Sequence, residues 1–207
     1  MDIYVLDTNL FFNMQANMGL GEKTEQVVVA MTKAIQKSKF SNRASFYMPP
    51  SIVEEIKSFF EDPQQAFLTD FFCEIIVKSP CLPEINLSAA VIGEIIQETR
   101  VRAFKGMKVG EEEIVRASEM FMGKEALGKK EFQMATGQII TKYRERFRNA
   151  TRTGFIDSIG DFELIMLAKE LNGTLISTDE GVISWGRKFG VKEMEPSTFG
   201  KKILSCV

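Results

Sequence analysis

The sequence predicts an α/β fold with a central parallel sheet and a long helical hairpin inserted into it. Three observations predict it. Residues 3–6 and 174–177 form short runs rich in apolar residues, as strands buried on both faces do. Helical stripes alternate with such runs, which is the rhythm of βαβ units. That rhythm stops after Pro83, and residues 87–149 carry helical pattern alone.

In chain order, residues 3–6 (Ile-Tyr-Val-Leu) read as a buried strand ending abruptly in Asp7. Residues 24–37 place Val27, Val28, Met31 and Ile35 on one helical stripe. Residues 45–48 read as a short strand stopped by Pro49-Pro50. A helix over 51–60 then turns Ile52, Val53, Ile56, Phe59 and Phe60 inward. Pro63 is suited to open a further helix to about residue 72, and 75–77 is a third strand. The long helical stretch has stripes at Ile92, Ile95 and Ile96, and at Phe132, Ile139, Ile140 and Tyr143. Its interruptions lie near residues 106–110 and Gly123, so the hairpin tip is expected at 106–110. A helix over 156–171, with Ile159, Phe162, Ile165 and Met166 buried, ends at Gly173. A strand at 174–177, a turn through Thr178-Asp179-Glu180-Gly181, a short helix at 182–189 and a last strand near 191–194 complete the pattern.

The 207 residues are 44% hydrophobic and 26% charged, ordinary for a globular protein with a real core. Net charge is -2 but unevenly distributed. Residues 100–152 hold 13 Lys/Arg against 7 Asp/Glu, leaving 13 against 21 elsewhere. That asymmetry suits an acidic catalytic part with a basic gripping part, and equally a solvated helical face. Histidine is absent, which excludes Ser-His-Asp and Cys-His catalysis and HExxH zinc sites. Cys73, Cys81 and Cys206 make no zinc spacing or disulfide framework, as suits a reducing compartment. The apolar run after Met1-Asp2 is too short for a signal peptide core, and no run approaches the roughly 18 residues of a membrane span. A cytoplasmic protein is expected.

Catalysis is then left to carboxylates, hydroxyls, lysines or metal, and the carboxylates carry the pattern. Asp7 and Asp179 each follow a strand, and in open parallel sheets ligands bind outside the carboxyl ends of strands. Asp157 and Asp161 stand four apart at the start of a helix, on one face. If the four converge they repel strongly, by about 4 kcal/mol for a pair of charges about 4 Å apart at an effective dielectric near 20. A cation resolves that conflict, and oxygen ligands without His or Cys select Mg²⁺, with Mn²⁺ as a substitute. Thr8, Asn9, Ser158 and Thr178 sit beside the acids as supporting donors, and Glu54 or Glu55 is a further ligand or water-positioner. Singly, each acid reads as readily as a helix cap, a turn residue or a dipole-complementing charge. Four at independent strand and helix ends favour a metal site.

Val5-Leu6-Asp7-Thr8-Asn9, a glutamate after the second strand, Asp157-xxx-Asp161 and Ser177-Thr178-Asp179-Glu180-Gly181 resemble the acidic motifs of PIN-domain ribonucleases. The stretch from Ala150 through Thr153-Gly154-Phe155-Ile156-Asp157-Ser158-Ile159-Gly160-Asp161 to Leu164 resembles one branch in particular: the RNA-free ribonuclease P proteins of bacteria and archaea, known as HARP and formerly as "RNA ligase partner". The resemblance spans essentially the whole chain. It implies a PIN-like nuclease domain over 1–83 and 153–207, and protruding helices over 84–152. It also implies hydrolytic removal of the 5′ leader of precursor tRNA, leaving a 5′-phosphate and a 3′-hydroxyl, with catalytic and metal-holding roles for Asp7, Asp157, Asp161 and Asp179. Assembly into a large homo-oligomer through the protruding helices is implied as well. Lys142, Arg144, Arg146, Arg148 and Arg152 are then expected to grip RNA phosphates. Their alternation spreads them around a helix, so some serve folding or partner contacts instead. Met107, Met120, Phe121 and Met122 form either an adhesive surface between subunits or the core between the two hairpin helices.

Three rivals stand beside this expectation. A general or toxin-like PIN endoribonuclease would not need the long hairpin. A phosphotransfer domain of the haloacid-dehalogenase or receiver type also places Asp at strand ends, but Asn9 stands where a DxD motif has its second acid. A non-catalytic RNA-binding partner protein would have no use for four repelling carboxylates.

Overall fold

A computed structural model describes residues 1–13, 16–156 and 158–205, so Asp157 and Cys206 lie outside the described residues. The described chain forms two compact units, Met1–Leu87 with Ile156–Val207, and Ser88–Phe155.

The first unit is built on a five-stranded parallel sheet. Its strands are β1 (Asp2–Leu6), β2 (Ala44–Met48), β3 (Ile76–Val77), β4 (Thr174–Ile176) and β5 (Lys192–Glu193), in the spatial order β3-β2-β1-β4-β5. β1 is central, with Tyr4 opposite Phe46 on one side and Leu6 opposite Ile176 on the other. Tyr4, Val5 and Leu6 are all buried, which explains the unbroken apolar run: a middle strand covered on both faces has no solvent side on which to place polar residues. The edge strands β3 and β5 are exposed and two residues long.

Two helix groups cover the sheet. The first comprises α1 (Asn9–Phe12), α2 (Thr24–Phe40), α4 (Ala66–Glu74) and α9 (Pro196–Ser205), gathered around α2. The second comprises α3 (Pro50–Ser58), α7 (Ile159–Glu170) and α8 (Glu180–Lys188), gathered around α7. Residues 164–168 of α7 are buried without a break, because that helix lies between the sheet and its neighbours and so lacks an open polar face. Several expected boundaries shift. α7 starts at Ile159, where Ser158 accepts a hydrogen bond from the Asp161 N–H, and Ile159 in that first turn is 74% exposed rather than buried. Its chain reversal uses Asn172 in the left-handed region, φ 47°, ahead of Gly173. Pro63 does not open α4. It sits in a turn in which the Asp62 side chain accepts from the Gln64 N–H, and α4 begins three residues later. Phe59 lies beyond the end of α3 and is exposed. α9 carried no expectation, although Pro196, Phe199, Gly200 and Ile203 have helical spacing and are buried together.

The second unit is an antiparallel pair, α5 (Ala89–Phe121) and α6 (Lys129–Arg152). The tip lies at residues 122–128, not at 106–110, and α5 runs through both glycines. Gly106 is there for contact rather than turning. A Cβ on it would lie 2.7 Å from Phe147 Cε2 and 3.0 Å from Thr151 Cγ2, so α6 approaches too closely for a side chain. The carboxylate of Glu113, 5% exposed, accepts from Arg116 at 2.8 Å and from Arg146, while Glu112 takes the other arm of the Arg146 guanidinium. Arg102 donates to the carbonyls of Thr151, Thr153 and Gly154 and stacks on Phe155, tying down the end of α6. Met107 and Met122 are more than half exposed, as are Phe104, Ile114, Val115 and Met134, so these side chains are not a core between α5 and α6. Among the described residues no helix is long and apolar enough to cross a membrane.

Candidate active site

β1 and β4 are neighbours and end level with each other, and the chain leaves each at a polar residue. The Asp7 N–H continues the ladder to the Ile176 carbonyl at 3.1 Å, which holds Asp7 at the sheet's carboxyl edge with only 3% of its surface exposed. The Ser177 hydroxyl, also buried, donates to Asp7 Oδ2. The same Ser177 oxygen accepts from the Asp179 N–H at 2.9 Å, so one side chain orients both strand-end acids. Asn9 Nδ2 makes a longer contact of 3.4 Å to Asp7 Oδ2.

The other acids arrive from helix starts. Asp179 is the N-cap of α8, its Oδ1 accepting from the Val182 N–H at 2.9 Å. Capping and a place at the site are both filled by this residue. Asp161 lies in the first turn of α7, half-buried. Glu55, on α3, accepts from the Thr8 hydroxyl at 2.7 Å. Burial pushes the Asp7 carboxyl up to about 6, the Ser177 hydrogen bond opposes this, and the charges of Asp161, Asp179 and Glu55 push it further up. Asp7 therefore feels three other carboxylates.

Of the expected residues, Asp161 and Asp179 lie within electrostatic reach of Asp7, which has Thr8 beside it and Asn9 in contact with it. Ser158 caps the helix that carries Asp161, and Thr178 accepts from Asn13 Nδ2 at 3.1 Å. Asp157 lies outside the described residues. Of the two glutamates expected there, Glu54 points to solvent and pairs with Lys57 at 2.8 Å, and Glu55 faces Thr8, because Ile52, Val53 and Ile56 fix the phase of α3. Ser177 was missed as an orienting residue. The signal was available, since a serine in a strand position otherwise apolar and buried needs a polar partner. Arg146 is a correction. It is bound by Glu112 and Glu113 within the hairpin, where it holds structure together. Lys142, Arg144 and Arg148 are exposed along α6, and Arg152 lies in its last turn.

Among the described residues no three acids are drawn together closely enough to cage an ion unaided. The donor set nevertheless suits a hard divalent cation. Every candidate ligand offers carboxylate oxygen, histidine is absent from the chain, and the charges of Asp161, Asp179 and Glu55 add to burial in raising the Asp7 carboxyl.

Comparison with known proteins agrees along the whole length. The profile of the family described as PINc domain ribonuclease matches residues 3–207. The chain is 34% identical to the RNA-free ribonuclease P of Pyrococcus furiosus over 202 residues, covering 97% of this chain and 92% of that protein. It is 34% identical to the RNA-free ribonuclease P of Thermococcus kodakarensis over 205 residues, covering 99% and 95%. The similarity to the protein of the same name from Haloarcula marismortui is 30% over 198 residues, covering 95% and 87%.

Proposed function

This chain belongs to the PINc domain ribonuclease family, and we propose that it is an RNA-free ribonuclease P: an endoribonuclease that removes the 5′ leader of precursor tRNA by hydrolysis. The observation that carries the reading is Asp7, held by Ser177 at the level ends of two central strands, within electrostatic reach of Asp161, Asp179 and Glu55. Such a cluster costs stability unless a cation and a phosphate use it.

Asp7, Asp161 and Asp179, with Asp157 from the same motif, would hold Mg²⁺, and Mn²⁺ is the substitute expected of an all-oxygen set. When bound, the ion supplies Lewis-acid polarisation of the scissile phosphate and neutralises charge developing on the leaving oxygen. The protein's own part is orientation. Ser177 and Asn9 fix the plane of the Asp7 carboxylate. Ser177 also fixes the backbone that presents Asp179, and Thr8 holds Glu55 beside them. Lys142, Arg144, Arg148 and Arg152 grip the RNA backbone. The exposed apolar residues of the hairpin join copies of the chain into a homo-oligomer. The cytoplasm, where precursor tRNA is processed, is the compartment this activity requires.

The test is incubation of the purified protein with a 5′-labelled precursor tRNA, with Mg²⁺ or with EDTA. One Mg²⁺-dependent cut at the mature 5′ end is the expected result. Scattered cuts, with equal cleavage of an unrelated single-stranded RNA, would make it a general PIN endoribonuclease. Binding without any cut would make it an RNA-binding partner protein.

A further inference from the structure

The chain has three phenylalanine doublets, Phe11-Phe12, Phe59-Phe60 and Phe71-Phe72. The core accounts for one member of two of them. Phe11 and Phe71 are buried against each other with ring centroids 5.1 Å apart. Phe12, Phe59 and Phe60 instead form an aromatic group at the surface. Phe12 lies 4.4 Å from Phe59 and 5.8 Å from Phe60, and Phe59 is 57% exposed. What sets these rings apart from other exposed apolar side chains is that they are clustered with one another.

Their position is tied to the catalytic acids by two helical steps. Phe12 follows Thr8 by four residues and Phe59 follows Glu55 by four. Thr8 and Glu55 are joined by their 2.7 Å hydrogen bond, and one turn further along each chain Phe12 and Phe59 are joined by ring contact. The rings therefore stand about one helical turn from the side chains that flank Asp7. Aromatic faces beside a phosphate-handling site have a matching ligand, the face of an unpaired base, since stacking on exposed aromatic side chains is how single-stranded RNA is held without sequence preference.

We infer that Phe59, supported by Phe12 and Phe60, is a base-stacking platform for the unpaired leader nucleotide next to the scissile phosphate. The inference rests on the ribonuclease P reading above. The leader base is the occupant because a base on the mature side is engaged in the acceptor stem and offers no free face. Stacking there fixes the sugar-phosphate between a held base and the carboxylates, and selects a cut with an unpaired nucleotide on its leader side.

The experiment compares wild type with Phe59→Ala and Phe59→Trp in single-turnover cleavage of two precursor tRNAs. One is normal and the other lacks the base at the leader nucleotide flanking the cut. Phe59→Ala is expected to lose about 5- to 150-fold on the normal substrate, the range for one base–aromatic stack. It should lose nothing further on the abasic one, and Phe59→Trp should retain activity. Equal losses on both substrates, or none on either, would overturn the platform. A second readout does not need catalysis: 2-aminopurine at the same nucleotide, bound in EDTA, should be quenched by wild type and not by Phe59→Ala. Quenching without cleavage would keep the platform and remove the ribonuclease P reading, whereas cleavage without Phe59-dependent quenching would do the reverse. A change in subunit number on Phe59→Ala, measured by light scattering, would assign the rings to a second copy of the chain and also overturn the proposal.

Discussion

At the scale of single residues, Asp7 sets function against stability. Its carboxyl titrates near 6 in the folded chain against an ordinary 3.8. Between those values the folded protein holds a proton that the unfolded chain has lost, so this group's contribution to stability falls as pH rises from about 4 to about 6. The full loss is about 3 kcal/mol at 1.36 kcal/mol per unit. Asp7→Asn is therefore expected to raise the melting temperature of the metal-free protein at pH 7, to flatten its pH dependence across that window, and to abolish cleavage. Thermal melts in EDTA from pH 4 to 7 check this; an unchanged or lower melting temperature at pH 7 would mean that Asp7 is already neutralised. Ser177→Ala should be milder, lowering cleavage and Mg²⁺ affinity about 10- to 100-fold as the loss of an orienting hydrogen bond does, read by single-turnover rates against Mg²⁺ concentration. The strand-end acids were legible in the sequence because an apolar run that stops at a carboxylate marks a place in the fold. Glu55 was not. Choosing between Glu54 and Glu55 requires the rotational phase of α3, which packing of Ile52, Val53 and Ile56 decides.

At the scale of elements, the hairpin shows what a glycine in a helical pattern can mean. Gly106 and Gly110 lie in one continuous helix, and only their neighbours tell them apart. At Gly106 a Cβ meets Phe147 and Thr151, whereas at Gly110 the nearest atom is Tyr143 Cε2, 3.9 Å away. The two positions should respond in opposite directions. Gly106→Leu overpacks the α5–α6 contact and is expected to destabilise the hairpin by about 1–3 kcal/mol. Gly110→Ala gains helix propensity, worth about 1 kcal/mol. Amide hydrogen exchange within residues 89–152 separates the two effects from any change in the nuclease unit. Existence and type of the long helices were legible from their periodicity; the tip was not, because a missing side chain signals a turn and a close approach alike. α9 went unread for a related reason. Its buried positions include Pro196 and Gly200, which punctuate a sequence, although a Cβ on Gly200 would collide with the Met18 carbonyl oxygen and the glycine is a packing requirement.

At the scale of the whole molecule, charge is divided between the nuclease unit and the hairpin: residues 88–155 carry 13 Lys/Arg and 9 Asp/Glu, and the rest of the chain 13 and 19. The sequence shows that division but not which cations are available to RNA, because an ion pair formed between helices removes a charge that still counts in the composition. Arg146 is the case in point. Removing it would leave the buried Glu113 carboxylate with Arg116, on its own helix, and without its cross-helix partner. Arg146→Ala is thus expected to weaken the hairpin itself, and any loss of RNA binding would follow from that. Lys142, Arg144 and Arg148 are exposed, so the triple alanine variant should keep its fold and its Mg²⁺ requirement. Each phosphate contact it loses lowers the slope of log affinity against log salt by about 0.7–0.9, and a drop of about 2–3 is expected if all three touch RNA. Precursor tRNA binding by the catalytically silent Asp7→Asn protein, followed from low to high salt with and without the triple substitution, measures it. An unchanged slope would move the RNA grip to other basic residues of the hairpin and leave these three as a solvated helical face.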